Sequence, residues 1–275
     1  MTEPAKPAAA EETPGGEMPF LDHLEELRWR IVKALSALVV GIGIGYGVVT
    51  HWDVIGLIKR PVDPYLPAGH TLLITTPLEP FIIALKLSIA IGIVLALPVV
   101  VYQVWAFLRP ALYSKERRIV VPMVVAGSVL FLIGAALGYL VILPLTLKVM
   151  QAFVTASMQQ MITADSYFGF AITIVLLFGA VFEVPLVMFI LIYMGIVSSA
   201  FLRRHHRVFI MINGIASTLL TPGDVVITSL MAMIPIQLFY ELSILMALMV
   251  ERRRRKRAAA AEREASAGAP EPHHA

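Results

Sequence analysis

Long apolar blocks without a charge alternate along this chain with short segments that carry proline, glycine or clustered arginines. That rhythm is neither the period of an amphipathic surface helix nor the alternation of a half-buried strand, and it predicts bilayer spans. Six are expected. The first covers residues 31–50, just enough to cross about 30 Å of hydrocarbon at about 1.5 Å per residue. The second covers 84–108, with Lys86 able to snorkel back to the interface. The third, 119–147, is long enough to tilt or bend. The fourth, 167–202, holds Glu183 near its middle, and the sixth, 225–250, is apolar apart from Glu241. The fifth, 208–221, has only 14 residues, a length that also suits a re-entrant segment. Proline-rich residues 52–80, polar residues 148–165 and the turn Thr221 to Asp224 read as loops on one side.

Charge placement orients the spans and decides the fifth. Of the 22 basic residues, 18 fall on one side when six spans are taken: Lys6, Arg28, Arg30, Lys33, Arg109, Lys115, Arg117, Arg118, Arg203, Arg204, Arg207 and the seven between Arg252 and Arg263. An odd number of spans would split that cluster. The positive-inside rule then makes both termini cytoplasmic. The expected class is an all-α integral membrane protein, a bundle of six transmembrane helices. Residues 1–17, rich in Ala, Pro and Glu, read as a disordered cytoplasmic tail, and 251–275 as a basic, then low-complexity, cytoplasmic tail.

Composition agrees with a membrane protein. Hydrophobic residues make up 58% and charged ones 15%, and mean hydropathy is +0.81, against about 45–50% and about 25% in a soluble domain. The net charge of +3 does not point to nucleic acid, because the basic residues mark one membrane side. Absence of cysteine excludes disulfides, thiolate metal sites and cysteine nucleophiles. With no HExxH and no GxxxxGK[ST] motif, neither a zincin site nor a phosphate loop is available, so no cofactor is expected.

Several residues are out of place for a plain bundle. Pro98, Pro122, Pro144, Pro185 and Pro235 sit inside the apolar blocks, and each removes a backbone hydrogen bond, which favours bent helices and a cupped bundle. Glu183 costs about 2.5–3.5 kcal/mol at mid-span on insertion scales, so it needs a partner inside the fold or beyond it; Glu241 poses the same question nearer the cytoplasmic end. Before the first span, Leu21, Leu24, Leu27 and Ile31 form one stripe of a helix begun by Pro19, which reads as an amphipathic helix at the cytoplasmic interface. Glu26 there either pairs with Arg30 at i,i+4 or offers its carboxylate outward. Glu116 either favours the start of the third span next to Ser114 or does likewise.

These residues resemble the TatC family, the multispanning receptor subunit of the twin-arginine protein translocase. The resemblance rests on the run His23 to Arg28, on Tyr102 to Tyr113, on Glu116 to Arg118 with Val121 and Pro122, on Phe182 to Pro185, and on Leu220 to Pro222 with Asp224. These follow in family order between about residues 18 and 250. The family implies six helices in a glove-like bundle with cytoplasmic termini in the bacterial inner membrane. It implies recognition of signal peptides bearing consecutive arginines, with Glu26 and Glu116 as the recognition acids, Phe107 as an apolar contact, and Arg28 and Arg30 orienting the glutamates. A planar guanidinium fork suits a carboxylate where lysine would lose the bidentate pairing. It further implies that Glu183, Asp224 and Glu241 meet single-span Tat subunits, that the chain self-associates in a receptor complex, and that folded cargo is exported on the proton motive force. Gly223 departs from a proline common there, and Thr228 from a frequent glutamine.

A small-solute secondary transporter is the rival reading, since bent spans and a membrane carboxylate are its features, but it predicts an inverted repeat and residues 30–147 and 167–250 show no such symmetry. An intramembrane enzyme would need a nucleophile with a base, and no such pairing stands out.

Overall fold

The structure, a computed structural model, describes residues 20–66, 71–108, 120–155, 161–220 and 227–267. Among them the elements are helical: α1 (Phe20–His51), α2 (Val54–Lys59), a 3₁₀ turn (Asp63–Tyr65), α3 (Glu79–Leu108), α4 (Val120–Leu137), α5 (Leu143–Gln151), α6 (Ala164–Phe182), α7 (Val184–Tyr193), α8 (Ser199–Leu220) and α9 (Ile227–Ala267). A single parallel bridge, Leu73 with Thr163, ties two loops. Five segments are long and apolar enough to cross a membrane: Leu24–His51, Glu79–Phe107, Val121–Gln151, Ala164–Tyr193 and Met233–Ala260. α8 is not among them, because its first half carries Arg203, Arg204, His205, His206 and Arg207.

Successive long helices run in opposite directions, and small residues set how closely they approach. Gly41 and Gly45 of α1 face Gly92 and Ser88 of α3; a Cβ at Gly41 would sit 2.6 Å from the Gly92 carbonyl oxygen, and one at Gly45 2.5 Å from that of Ser88. Backbones therefore touch, the small-residue packing that membrane helices use when burial against water is not available as a driving force. α4 and the π-helical turn that follows it meet α6 in the same way, through Gly134 and Gly138. α8 and α9 join through Asn213, which donates to the Met233 carbonyl at 3.0 Å, and Tyr240, which donates to the Leu202 carbonyl at 2.6 Å. The alternation brings the Phe20 end of α1, the Leu108 end of α3, the starts of α4 and α8, and the far end of α9 to one end of the bundle.

The five prolines behave differently according to position. Pro98 and Pro235 lie inside unbroken α3 and α9. Pro122 is in the first turn of α4, where its missing N–H would have no partner anyway. Pro144 and Pro185 mark real interruptions: Pro144 follows a π-helical turn, Gly138–Ile142, that separates α4 from α5, and Pro185 opens α7 one residue after α6 ends.

Three boundaries differ from the hydrophobic pattern. The interfacial helix and the first span are one 32-residue helix, since no breaker separates Phe20 from Thr50. The fourth apolar block does not run to Leu202 as one crossing. It stops at Tyr193, where Gly195 at φ 80° forms a C-cap in which the Ile196 N–H donates to the Leu191 carbonyl at 2.9 Å and the Gly195 N–H to that of Ile192 at 3.0 Å. Hydropathy misses this turn because Met194 to Ala200 carries no charge. Finally, α9 continues past Val250 to Ala267 as part of one 41-residue helix.

Candidate functional site

At the end of the bundle that holds the first turns of α1, Glu26 and Arg30 stand one turn apart on that helix. Arg30 Nε donates to Glu26 Oε1 at 3.1 Å, and Nη2 contacts the same oxygen. The second carboxylate oxygen, Oε2, is buried and has no hydrogen-bond partner among the described residues. Arg30 thus orients the acid and leaves one acceptor uncommitted. Arg28, two positions on and exposed, cannot share that face, since i,i+2 side chains diverge on a helix. Phe107 lies one residue from the end of α3. The antiparallel pairing of Gly41 with Gly92 and Gly45 with Ser88 places the Leu108 end of α3 at the same end of the bundle as the first turns of α1. Glu116 lies outside the described residues, within the segment that joins α3 to α4.

Glu183 ends α6 and begins α7 at once. Its N–H donates to the Ala180 carbonyl at 3.1 Å and its own carbonyl accepts the Val187 N–H at 3.0 Å, so Glu183 is the one-residue joint between the two helices, with Pro185 in the first turn of the second. The side chain points toward α4 at Gly127: a Cβ there would lie 3.1 Å from Glu183 Oε2 and 2.8 Å from Leu186. Oε1 is buried with no hydrogen-bond partner among the described residues.

Glu241 differs. It is exposed, accepts from Gln237 Nε2 at 3.1 Å, and lies 3.3 Å from His206 Nδ1, so it links α9 to α8. Gln237 keeps its own Oε1 buried and unpartnered among the described residues. Asp224 lies outside the described residues.

The opposite end carries a polar network that hydropathy did not single out. Glu79 Oε2 accepts from the Thr75 N–H at 2.6 Å, the Thr75 hydroxyl at 2.8 Å and the Thr76 N–H at 3.3 Å, while Oε1 accepts the Asp165 N–H at 2.8 Å. One buried carboxylate therefore joins the starts of α3 and α6. Lys86 Nζ reaches Asp165 Oδ1 at 2.5 Å. Tyr139 and Tyr167 donate to the carbonyls of Leu57 and Ile58 at 2.5 and 2.7 Å, in the last turn of α2, where the Leu57 carbonyl also accepts the Arg60 N–H at 3.3 Å. A cavity of ≈620 Å³ opens between α3, α5 and α6, with Lys86 and Asp165 at its edge and Leu147, Ile162 and Phe170 along it. The only signal for this network in the sequence was a lysine and an aspartate at the edges of two apolar blocks.

Long apolar helices packed through glycines, with no sheet among the described residues, define a multi-pass membrane protein. A family model described as "TatC: Sec-independent protein translocase protein (TatC)" matches residues 22–235. Sec-independent protein translocase protein TatC of Aquifex aeolicus is 33% identical over 238 residues, covering 86% of this chain and 97% of the relative. That of Escherichia coli K12 is 36% identical over 227 residues, covering 82% and 86%. A crystal structure of the twin-arginine translocase receptor TatC in DDM superimposes with a TM-score of 0.72 at 32% identity, covering 82% of this chain and 99% of that one. The chain belongs to the TatC family. It is a protein translocase component and not an enzyme, and membership disfavours the small-solute transporter reading.

Proposed function

We propose that this chain is the receptor and core subunit of a twin-arginine translocase in the bacterial cytoplasmic membrane, with six spans and both termini inside. Glu26 and Glu116 bind the paired arginines of a signal peptide on folded cargo, with Phe107 as the neighbouring apolar contact and Arg30 as the positioning group. Glu183, Glu241 and Asp224 form docking positions for single-span Tat subunits, copies of the chain associate in the receptor complex, and the proton motive force drives export. The observation that supports the reading is the buried Oε2 of Glu26, which has no hydrogen-bond partner among the described residues while Arg30 holds the other oxygen. Leaving a buried charged acceptor unpaired is costly, and an incoming guanidinium removes the cost when a peptide binds.

The test is binding of a synthetic twin-arginine signal peptide to the purified chain in detergent. Charge-assisted hydrogen bonds contribute about 1.5–3 kcal/mol, so Glu26→Ala or Glu116→Ala should weaken binding by roughly one to two orders of magnitude. Replacing both peptide arginines by lysine should weaken it comparably. Affinity unchanged by all three substitutions would reject the assignment.

A further inference from the structure

We propose that the cleft between the first turn of α8 and the cytoplasmic extension of α9 binds the phosphate headgroup of an anionic phospholipid from the cytoplasmic leaflet. The cleft, ≈230 Å³, is lined by Arg203 from α8 and by Arg252 and Arg255 from α9, with Leu248 and Ala200 as its apolar wall. Its shape is fixed from within. Glu251 Oε1 accepts the Ser199 N–H and Oε2 accepts the Ser199 hydroxyl, both at 2.7 Å, which clamps the two helices together. Both oxygens of the acid are thereby engaged with Ser199, Arg203 Nε donates to the Ser199 carbonyl at 3.4 Å, and three exposed arginines line the cleft against one carboxylate.

Position along α9 selects a lipid over a free anion. A bilayer core takes about 20 helical residues, so the crossing segment that begins at Met233 reaches its cytoplasmic edge near Arg252, and the helix continues for about 22 Å beyond at about 1.5 Å per residue. The cleft sits at that junction. Leu245, Leu248, Arg252 and Arg255 recur at helical spacing on one stripe, and Leu245 is 56% exposed, so an apolar track leads from the guanidiniums toward the bilayer. Clustered arginines just cytoplasmic of a span attract anionic headgroups, and a volume this small suits a headgroup better than a larger ligand. The family match ends at residue 235, so the arginines on α9 are outside what the family model describes. The inference rests on the cytoplasmic placement of the termini proposed above.

The test uses the full chain in nanodiscs of equal phosphatidylglycerol and phosphatidylcholine, released into native mass spectrometry to count retained lipid. Wild type should retain phosphatidylglycerol in preference. Arg203→Gln with Arg252→Gln and Arg255→Gln should lower that retention about tenfold or more, with helical content unchanged. Arg253→Gln with Lys256→Gln and Arg263→Gln removes the same charge outside the cleft and should retain the lipid. Equal loss in both triple variants, no preference in wild type, or displacement by millimolar inorganic phosphate as effective as by added phosphatidylglycerol would each overturn the proposal. Signal-peptide affinity of the cleft variant should stay at the wild-type value, so a failed lipid result leaves the receptor reading standing and the converse also holds.

Discussion

Lys86 of α3 and Asp165 of α6 meet at 2.5 Å, while the backbone N–H of the same aspartate donates to Glu79. The N-terminal part of α3 and the start of α6, with Lys86 and Asp165 79 residues apart in sequence, are thus joined by one ion pair and one carboxylate at the end of the bundle opposite Glu26. The pair is partly exposed, which limits its contribution to about 0.2–1 kcal/mol. A double-mutant cycle of Lys86→Ala and Asp165→Ala, read from thermal unfolding in detergent, should give a coupling in that range. Strict additivity of the two single substitutions would show the contact to be idle.

The tyrosine pair is expected to matter more. Tyr167→Phe removes the donor to the Ile58 carbonyl and keeps the ring in place, with a cost of about 1–3 kcal/mol for the carbonyl left unpaired. Tyr139→Phe should cost less, because its side of α2 is more open to solvent. Limited proteolysis within residues 51–66 reports the effect directly: cleavage should be faster in Tyr167→Phe, and a wild-type rate in both variants would show that other contacts hold α2.

What the sequence made legible divides along physical lines. Apolar block lengths located five crossing segments because hydropathy over about 20 residues is a direct readout of membrane solubility. Glu183 stood out for the same reason, as a charge where none is affordable. The turn at Gly195 stayed hidden because its residues are as apolar as the helix before it, and only the positive φ of a glycine distinguishes them. Glu79 and Asn213 were also missed: their importance comes from partners 86 and 20 residues away, and no local pattern encodes such distances. Glu26 was visible as an acid one turn from a basic residue, and the i,i+4 pair is present: Arg30 takes one oxygen, while the other has no hydrogen-bond partner among the described residues.

Close helix approach gives a test with its own control. Gly43 and Gly45 lie two positions apart in α1, and a Cβ at Gly43 meets nothing within 4 Å, whereas at Gly45 it meets the Ser88 carbonyl at 2.5 Å. Gly45→Ala must push α1 away from α3, with an overpacking cost of about 1–3 kcal/mol, while Gly43→Ala should be neutral or stabilising through helix propensity. Melting temperatures in detergent separate them. Equal behaviour of the two variants would mean that the α1–α3 contact is looser than these distances imply.

Topology can be read with single cysteines because the chain has none of its own. Ala259→Cys on the extension of α9 should react with a membrane-impermeant maleimide only in inverted vesicles, and Thr71→Cys, in the loop before α3, only in right-side-out cells. Labelling of Ala259→Cys from outside would place α9 the other way and remove the cytoplasmic surface on which both proposals stand.

Glu183 offers the sharpest separation between a structural and a functional carboxylate. Its Oε1 is buried without a hydrogen-bond partner among the described residues, against Gly127 on the neighbouring helix, and a buried polar atom in that condition lowers stability by about 1–3 kcal/mol. Glu183→Leu has similar volume and no polar atoms, so it should raise the melting temperature of the isolated chain while reducing crosslinking to single-span subunits and export of folded cargo. Glu183→Gln, which keeps a carbonyl acceptor in the same place, should preserve much of the crosslinking. A carboxylate retained to hold the bundle together would give the opposite pair of results, with Glu183→Leu less stable and crosslinking lost only in proportion to the protein that unfolds. The two measurements on one variant therefore decide whether the exposed cost at Glu183 is relieved by a partner helix or by the fold itself.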